Sequence, residues 1–189
     1  MNNLEKIISE EKPNEDYGKV HVLFGKGKGK TTSTLGITIR AAVSGLSVKY
    51  VQFMKGNDSN DSKVLKNFLN VDYFCPGNHD WAYLNEGLDE KQKKHAELCF
   101  SEIENMNNNY NILICDEILN VPFFSINKDF DYSKIKDLIK NKEKNLELVL
   151  SGLYCPESVL ELSDYVSRIK NIKHPYSTEG LPAREGIEY

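Results

Sequence analysis

Gly25-Lys26-Gly27-Lys28-Gly29-Lys30-Thr31-Thr32 decides the reading of this chain, because it follows the apolar run Val20 to Phe24 and opens a helical pattern. Strand, glycine-rich turn, Lys-Thr and helix in that order build an anion site. The amide N–H groups of the turn and of the helix N-terminus converge on one point. Lys30 adds a point charge. Thr31, the first hydroxyl of the new helix, is placed to ligate magnesium, and Thr32 supplies a second hydroxyl contact or a cap. Glycine at 25, 27 and 29 permits unusual dihedrals and close approach of the backbone to a phosphate. The position five residues before Gly29 is Phe24, so the loop is one residue shorter than the usual G-x-x-x-x-G-K-[ST] spacing. The stretch reads as a P-loop for a nucleoside triphosphate with Mg2+.

Working outward, strand-like and helix-like runs alternate to the end of the chain, as in a parallel α/β sheet. The strands expected are Val20 to Phe24, Ser47 to Phe53, Val71 to Phe74, Asn111 to Cys115, Leu146 to Ser151 and Tyr165 to Ile169. Most are apolar throughout, as strands covered on both faces should be. Leu35, Ile39, Ala42 and Val43 give the first helix an apolar face that Gly45 terminates. A second helix is expected over roughly Leu88 to Met106. A third has Ile135, Leu138 and Ile139 on one side, with Lys134, Lys136, Lys140, Lys142 and Lys144 as a solvated face. Cys75 to Gly87 and Pro175 to Tyr189 read as loops, where binding residues concentrate. The expected fold is α/β, a mostly parallel central sheet with flanking helices of the P-loop NTPase (RecA-like) type. Residues 18–189 form its single domain, and residues 1–17 form an appendage in which Leu4, Ile7 and Ile8 have helical spacing before Pro13 interrupts.

Asp116-Glu117 follows the apolar run Ile112 to Cys115, where a Walker B acid sits at a strand's carboxyl end. A carboxylate there holds magnesium, and either of the two satisfies the pattern. Gln52 and Lys55 end the second strand, at the edge where open α/β sheets bind ligands.

The 189 residues are 40% hydrophobic with a net charge of −4, which suits one globular domain and argues against a general nucleic-acid binder. Cys75, Cys99, Cys115 and Cys155 show no C-x-x-C spacing, so neither a zinc site nor a disulfide framework is expected, and a reducing compartment fits. No stretch approaches the roughly 18 to 20 apolar residues of a membrane span, and residues 1–17 lack a signal-peptide core, so the expected location is cytoplasmic.

Four segments together resemble the P-loop ATP:corrinoid adenosyltransferases of bacteria: GKGKGKTT, YVQFMKG at Tyr50 to Gly56, LICDE at Leu113 to Glu117, and the stretch from Ser151 to Tyr189. The resemblance implies that ATP and a reduced corrinoid, cobalamin or a precursor, are substrates. Cobalt(I) attacks the 5′-carbon of ATP and triphosphate leaves. Cobalt(I) is nucleophilic enough to need no general base, and the protein supplies position and charge. On this reading Lys30, Thr31 and Glu117 carry the catalytic roles. Gly25, Lys26, Gly27, Lys28, Gly29, Lys30, Thr31, Thr32, Gln52 and Lys55 bind the nucleotide side, and Thr31, Asp116 and Glu117 hold Mg2+. The family also places aromatics beneath the corrin ring, where Trp81 aligns with one and His79 stands where phenylalanine is expected. His79 either stacks on the corrin or coordinates cobalt. A second departure is Ser151-Gly152-Leu153, where the family usually reads Thr-Gly-Arg with the arginine as a phosphate contact, so either activity is weakened or Lys26 or Lys28 compensates. The likeness further implies a homodimer, an N-terminal segment covering a site, and a flavodoxin-type electron donor. Two other readings fit the same loop: a non-catalytic paralogue that binds ATP or corrinoid, and a small-molecule kinase.

Overall fold

Parallel strands joined by helical crossovers form the framework of the described residues. The computed structural model describes residues 16–56, 59–77, 87–107 and 109–188. Its strands are β1 (Val20–Phe24), β2 (Val48–Gln52), β3 (Val71–Phe74), β4 (Ile112–Asp116), β5 (Glu147–Gly152) and β6 (Tyr165–Arg168). They form one sheet in the order β3-β2-β4-β5-β1-β6, parallel at every pairing. The six expected strands are present within one or two residues, and the sheet is wholly rather than mostly parallel.

The helices are α1 (Lys30–Val43), α2 (Asn60–Leu65), α3 (Glu90–Glu104), α4 (Asn120–Phe124), α5 (Ser133–Asn141), α6 (Glu157–Leu160) and α7 (Pro175–Glu179). Side chains alternate across a strand, so the sheet divides the core in two. In β4, Ile112 and Ile114 join Val48, Tyr50 and Val149 beneath α1. Leu113 and Cys115 join Val51, Leu148 and Leu150 beneath α3 and α5. Burial on both faces is the physical reason the central strands read as continuous apolar runs. β6 departs from that expectation: all four of its residues are exposed, as an edge strand paired only to β1 allows.

The first helix also departs from its reading. Its buried residues are Thr34, Thr38, Ala41 and Ala42, whereas Leu35 and Ile39 are half-buried and Val43 is exposed. The threonines bury because their hydroxyls bond back to the helix, Thr34 to the Thr31 carbonyl and Thr38 to the Thr34 carbonyl, each at 2.9 Å. A hydrophobicity pattern scores them as polar and so rotates the predicted face. The helix stops where expected: Gly45 has φ 82°, and the Gly45 and Leu46 N–H groups bond to the Ala42 and Ala41 carbonyls, a left-handed C-terminal cap.

Pro175 to Tyr189, read as a loop, holds the short helix α7. Of the 1–17 appendage only Asp16 and Tyr17 lie among the described residues. No helix in the described residues is long and apolar enough to cross a membrane.

Candidate active site

The parallel register brings Phe24, Gln52, Asp116 and Gly152 to one edge of the sheet, and the candidate site is built on that edge. The turn leaving β1 is pinned from two sides. The Gly25 N–H donates to the Gly152 carbonyl and the Gly27 N–H to the Ile169 carbonyl, both at 3.0 Å. Gly25 has φ 120°, and a Cβ there would lie 2.3 Å from the Ile169 oxygen. Only glycine satisfies both the dihedral and the contact. Gly29, at φ 114°, is the N-cap of α1 and makes no side-chain cap, so the first N–H groups of the helix are left for an anion.

Lys30 lies folded into the loop, its Nζ donating to the Gly25 and Gly27 carbonyls at 2.8 and 2.9 Å. Burial pushes its pKa down, against the pull of the Glu117 and Asp116 charges. The ammonium is therefore held at the loop with partners that a phosphate oxygen can replace.

The two acids after β4 have separate environments. Asp116 is fully buried. Its Oδ1 accepts from Ser151 Oγ at 2.6 Å and from Thr34 Oγ1 at 3.3 Å, and its Oδ2 accepts from Gln52 Nε2 at 3.2 Å. The Gln52 Oε1 in turn accepts from the Tyr73 hydroxyl at 2.6 Å. Glu117 turns the other way, because its φ of 65° is left-handed. That conformation costs a non-glycine residue on the order of 1 kcal/mol, and the surroundings hold it in place. Its N–H donates to Ser151 Oγ at 2.8 Å, its carbonyl accepts from the Asn120 N–H, and its Oε2 accepts from Asn120 Nδ2 at 3.0 Å. Burial, and then the neighbouring Asp116 charge, push the Glu117 carboxyl up to about 8, against the pull of Lys55 and Lys30 and the Asn120 hydrogen bond.

Glu117 faces a cleft of about 580 Å³. Its floor is the P-loop from Gly27 to Thr32, and its walls are Lys55, Asp61, Glu117 and the chain's C-terminal tail from Gly186 to Glu188. Lys55 is paired with Asp61 at 2.7 Å. Lys28 is paired with Glu188 at 2.6 Å, and Arg184 and Lys28 together hold the Glu188 carboxyl at about 2. Three ammonium groups, Lys28, Lys30 and Lys55, thus border one cleft over a helix N-terminus. This charge and amide distribution suits a polyphosphate.

Residues 16–189 match the model of the family described as ATP:corrinoid adenosyltransferase BtuR/CobO/CobP. The chain belongs to the ATP:corrinoid adenosyltransferase family. Its members are transferases. A corrinoid adenosyltransferase of Sinorhizobium sp is 28% identical over 193 residues, covering 98% of this chain and 86% of the relative. One from Escherichia coli strain K12 is 25% identical, with 93% and 87% covered. The corrinoid adenosyltransferase CobA of Salmonella typhimurium is 26% identical, again with 93% and 87% covered. Among solved structures, the genome packaging NTPase B204 of Sulfolobus turreted icosahedral virus 2 aligns over 85% of this chain and 78% of its own, with a TM-score of 0.47 and 15% identity. That likeness is too distant to bear on function.

In this member of the family, Gly27, Lys28, Gly29, Lys30, Thr31, Thr32, Lys55 and Glu117 come together at the cleft. Four other candidates are placed differently. Gly25 is buried beneath the loop, and Lys26 is exposed outside the cleft lining. Gln52 and Asp116 lie fully buried below it, with the Gln52 side chain hydrogen-bonded to Asp116 and Tyr73. His79 and Trp81 lie outside the described residues. Leu153, at the family's arginine position, is half-buried, packs against the core under α3 and α5, and is absent from the cleft lining.

Sequence reasoning missed Thr34, Asn120 and Asp61, and read Ser151 only as part of the Ser151-Gly152-Leu153 motif without its contact to Asp116. Asn120 stands three residues after Glu117, a helical spacing that could have drawn notice. Ser151 and Thr34 reach Asp116 from 35 and 82 residues away, and no local signal marks them.

Proposed function

We propose that this chain transfers the 5′-deoxyadenosyl group of ATP to cobalt(I) of a corrinoid and releases triphosphate. The observation that carries the reading is the cleft itself: three lysines and the amides of a P-loop converge in a chain that matches the adenosyltransferase family from residue 16 to 189. In the reaction the cobalt(I) electron pair forms the bond to C5′. The C5′–O bond breaks, its electron pair leaves on the triphosphate, and cobalt becomes formally cobalt(III). No proton is moved at the reacting atoms, which agrees with a cleft whose acid, Glu117, is held by Asn120 rather than aimed as a base.

The residues suit Mg2+, a hard cation that takes few protein oxygens beside phosphates and water. The Thr31 hydroxyl and the Glu117 carboxylate line the same cleft and would hold it, with Asp116 behind them as a buried charge. When bound, the ion supplies neutralisation of negative charge on the triphosphate. Lys30, released from the Gly25 and Gly27 carbonyls, binds phosphate oxygens, and Lys28 and Lys55 exchange Glu188 and Asp61 for the same charge. Trp81 and His79 are assigned to the corrin side. The enzyme works as a cytoplasmic homodimer supplied with electrons by a flavodoxin-type donor.

The test is an anaerobic assay of the purified protein with ATP, Mg2+ and chemically reduced cob(I)alamin. A light-sensitive alkylcobalamin spectrum with equimolar triphosphate is expected. ATP binding without product would replace the reading with a binding-only relative, and ADP formed on an acceptor would replace it with a kinase.

A further inference from the structure

Ala183, Gly186, Ile187 and Glu188 line the same cleft as the P-loop, yet the strip of chain that carries them is lightly packed. None of residues 170–188 is buried, and only His174 and Glu188 are half-buried. The short helix α7 buries no residue. Gly180 and Gly186 have φ 66° and 74°, and a Cβ on either would meet nothing within 4 Å, so no neighbouring element packs on these two turns. Few buried contacts and exposed backbone are the marks of a segment that opens locally at low cost.

Polar contacts tie the strip to the P-loop. At its near end Asn171 Nδ2 donates to the Lys26 carbonyl at 2.9 Å, and Asn171 Oδ1 accepts from the Lys28 N–H at 3.3 Å. At its far end Lys28 Nζ donates to Glu188 Oε1 at 2.6 Å. The tail itself prepares that carboxylate. It accepts from the Arg184 N–H at 2.9 Å and from the Arg184 guanidinium at 3.2 and 3.1 Å, while the Ile187 and Glu188 N–H groups donate back to the Arg184 carbonyl at 3.2 and 2.9 Å. Residues 184–188 are therefore a closed turn that keeps its shape and its anion when Lys28 lets go.

The Lys28 ammonium carries a single positive charge. A polyphosphate that takes it leaves the Glu188 carboxylate facing a like charge in the same cleft, which is repulsive, and no buried residue holds the tail against that push. We infer that Glu188 is a tethered anion competing with the polyphosphate for Lys28, so that residues 180–188 form a latch that stays closed until a polyphosphate binds. The inference rests on the reading of the cleft as the nucleotide site. Tethering gives the carboxylate a high effective concentration, and a half-exposed ion pair is weak enough for a polyphosphate to displace. The affinity for ATP is thereby set in part by the tail.

The test uses the full chain. Amide hydrogen exchange at Arg184, Ile187 and Glu188 without ligand should speed up about threefold or more in Lys28→Gln, and unchanged exchange overturns the latch. Saturating inorganic triphosphate should produce the same acceleration in the wild type. Slower exchange at those amides would mean that the tail closes on the anion, which overturns the inference. In calorimetry Glu188→Gln should bind inorganic triphosphate about threefold to fivefold more tightly than the wild type. Binding by both proteins without that gain overturns the inference alone, whereas binding by neither overturns the reading of the cleft along with it.

Discussion

Replacing Glu117 by glutamine should make the ligand-free protein more stable at high pH and leave it unchanged at low pH. The folded carboxyl is raised from 4.5 to about 8, so between these values the folded state holds a proton that the unfolded chain has released. Stability conferred on the wild type below pH 4.5 is then lost as pH rises toward 8. At about 1.4 kcal/mol per pH unit the loss is on the order of 4–5 kcal/mol. Glutamine mimics the protonated acid, keeps an acceptor for Asn120 Nδ2, and has no such slope. Thermal unfolding followed by circular dichroism, in EDTA and without nucleotide, should give nearly coincident midpoints at pH 4. At pH 9 the variant should be higher by roughly 10 °C, taking about 2–4 °C per kcal/mol for a chain of this size. Parallel wild-type and variant curves across that range would show that the buried carboxylate is stabilised by something other than the residues around it, and the assignment of Glu117 as a strained, charge-poised group would fail.

Three other outcomes follow from the same geometry. Lys30→Ala should weaken ATP binding by about tenfold to a hundredfold in calorimetry, since one charge-assisted contact of about 1.5–3 kcal/mol is lost, with little change in melting temperature. Gly25→Ala should cost more than about 3 kcal/mol in denaturant unfolding, because the added carbon meets the Ile169 oxygen at 2.3 Å in a left-handed backbone. Leu153→Arg should bind ATP no more tightly than the parent and lose roughly 1–2 kcal/mol of stability, because position 153 packs on the core instead of facing the cleft.

The P-loop was legible because it is local: eight consecutive residues after a strand contain the turn, the charge and the hydroxyls, and glycine spacing alone restricts the backbone. The strands were legible for a related reason, since burial on both faces demands unbroken apolar runs that any pairing order would share. The face of α1 was misread because two threonines bury by bonding to their own helix. The division of labour between Asp116 and Glu117 was not readable, because it depends on Ser151, Thr34 and Gln52 surrounding the first acid and on a left-handed backbone turning the second.

By itself the sequence determined an α/β chain with a P-loop, an acidic pair at a strand end and the family to which these motifs belong, since each of those rests on neighbours in the chain. Tertiary structure alone decided the order β3-β2-β4-β5-β1-β6, which acid faces the cleft, and the pairing of Lys28 with Glu188 across 160 positions. Those contacts arise from side chains distant in sequence, and the hydrogen bonds and burial that select them exist only once the sheet has brought them together.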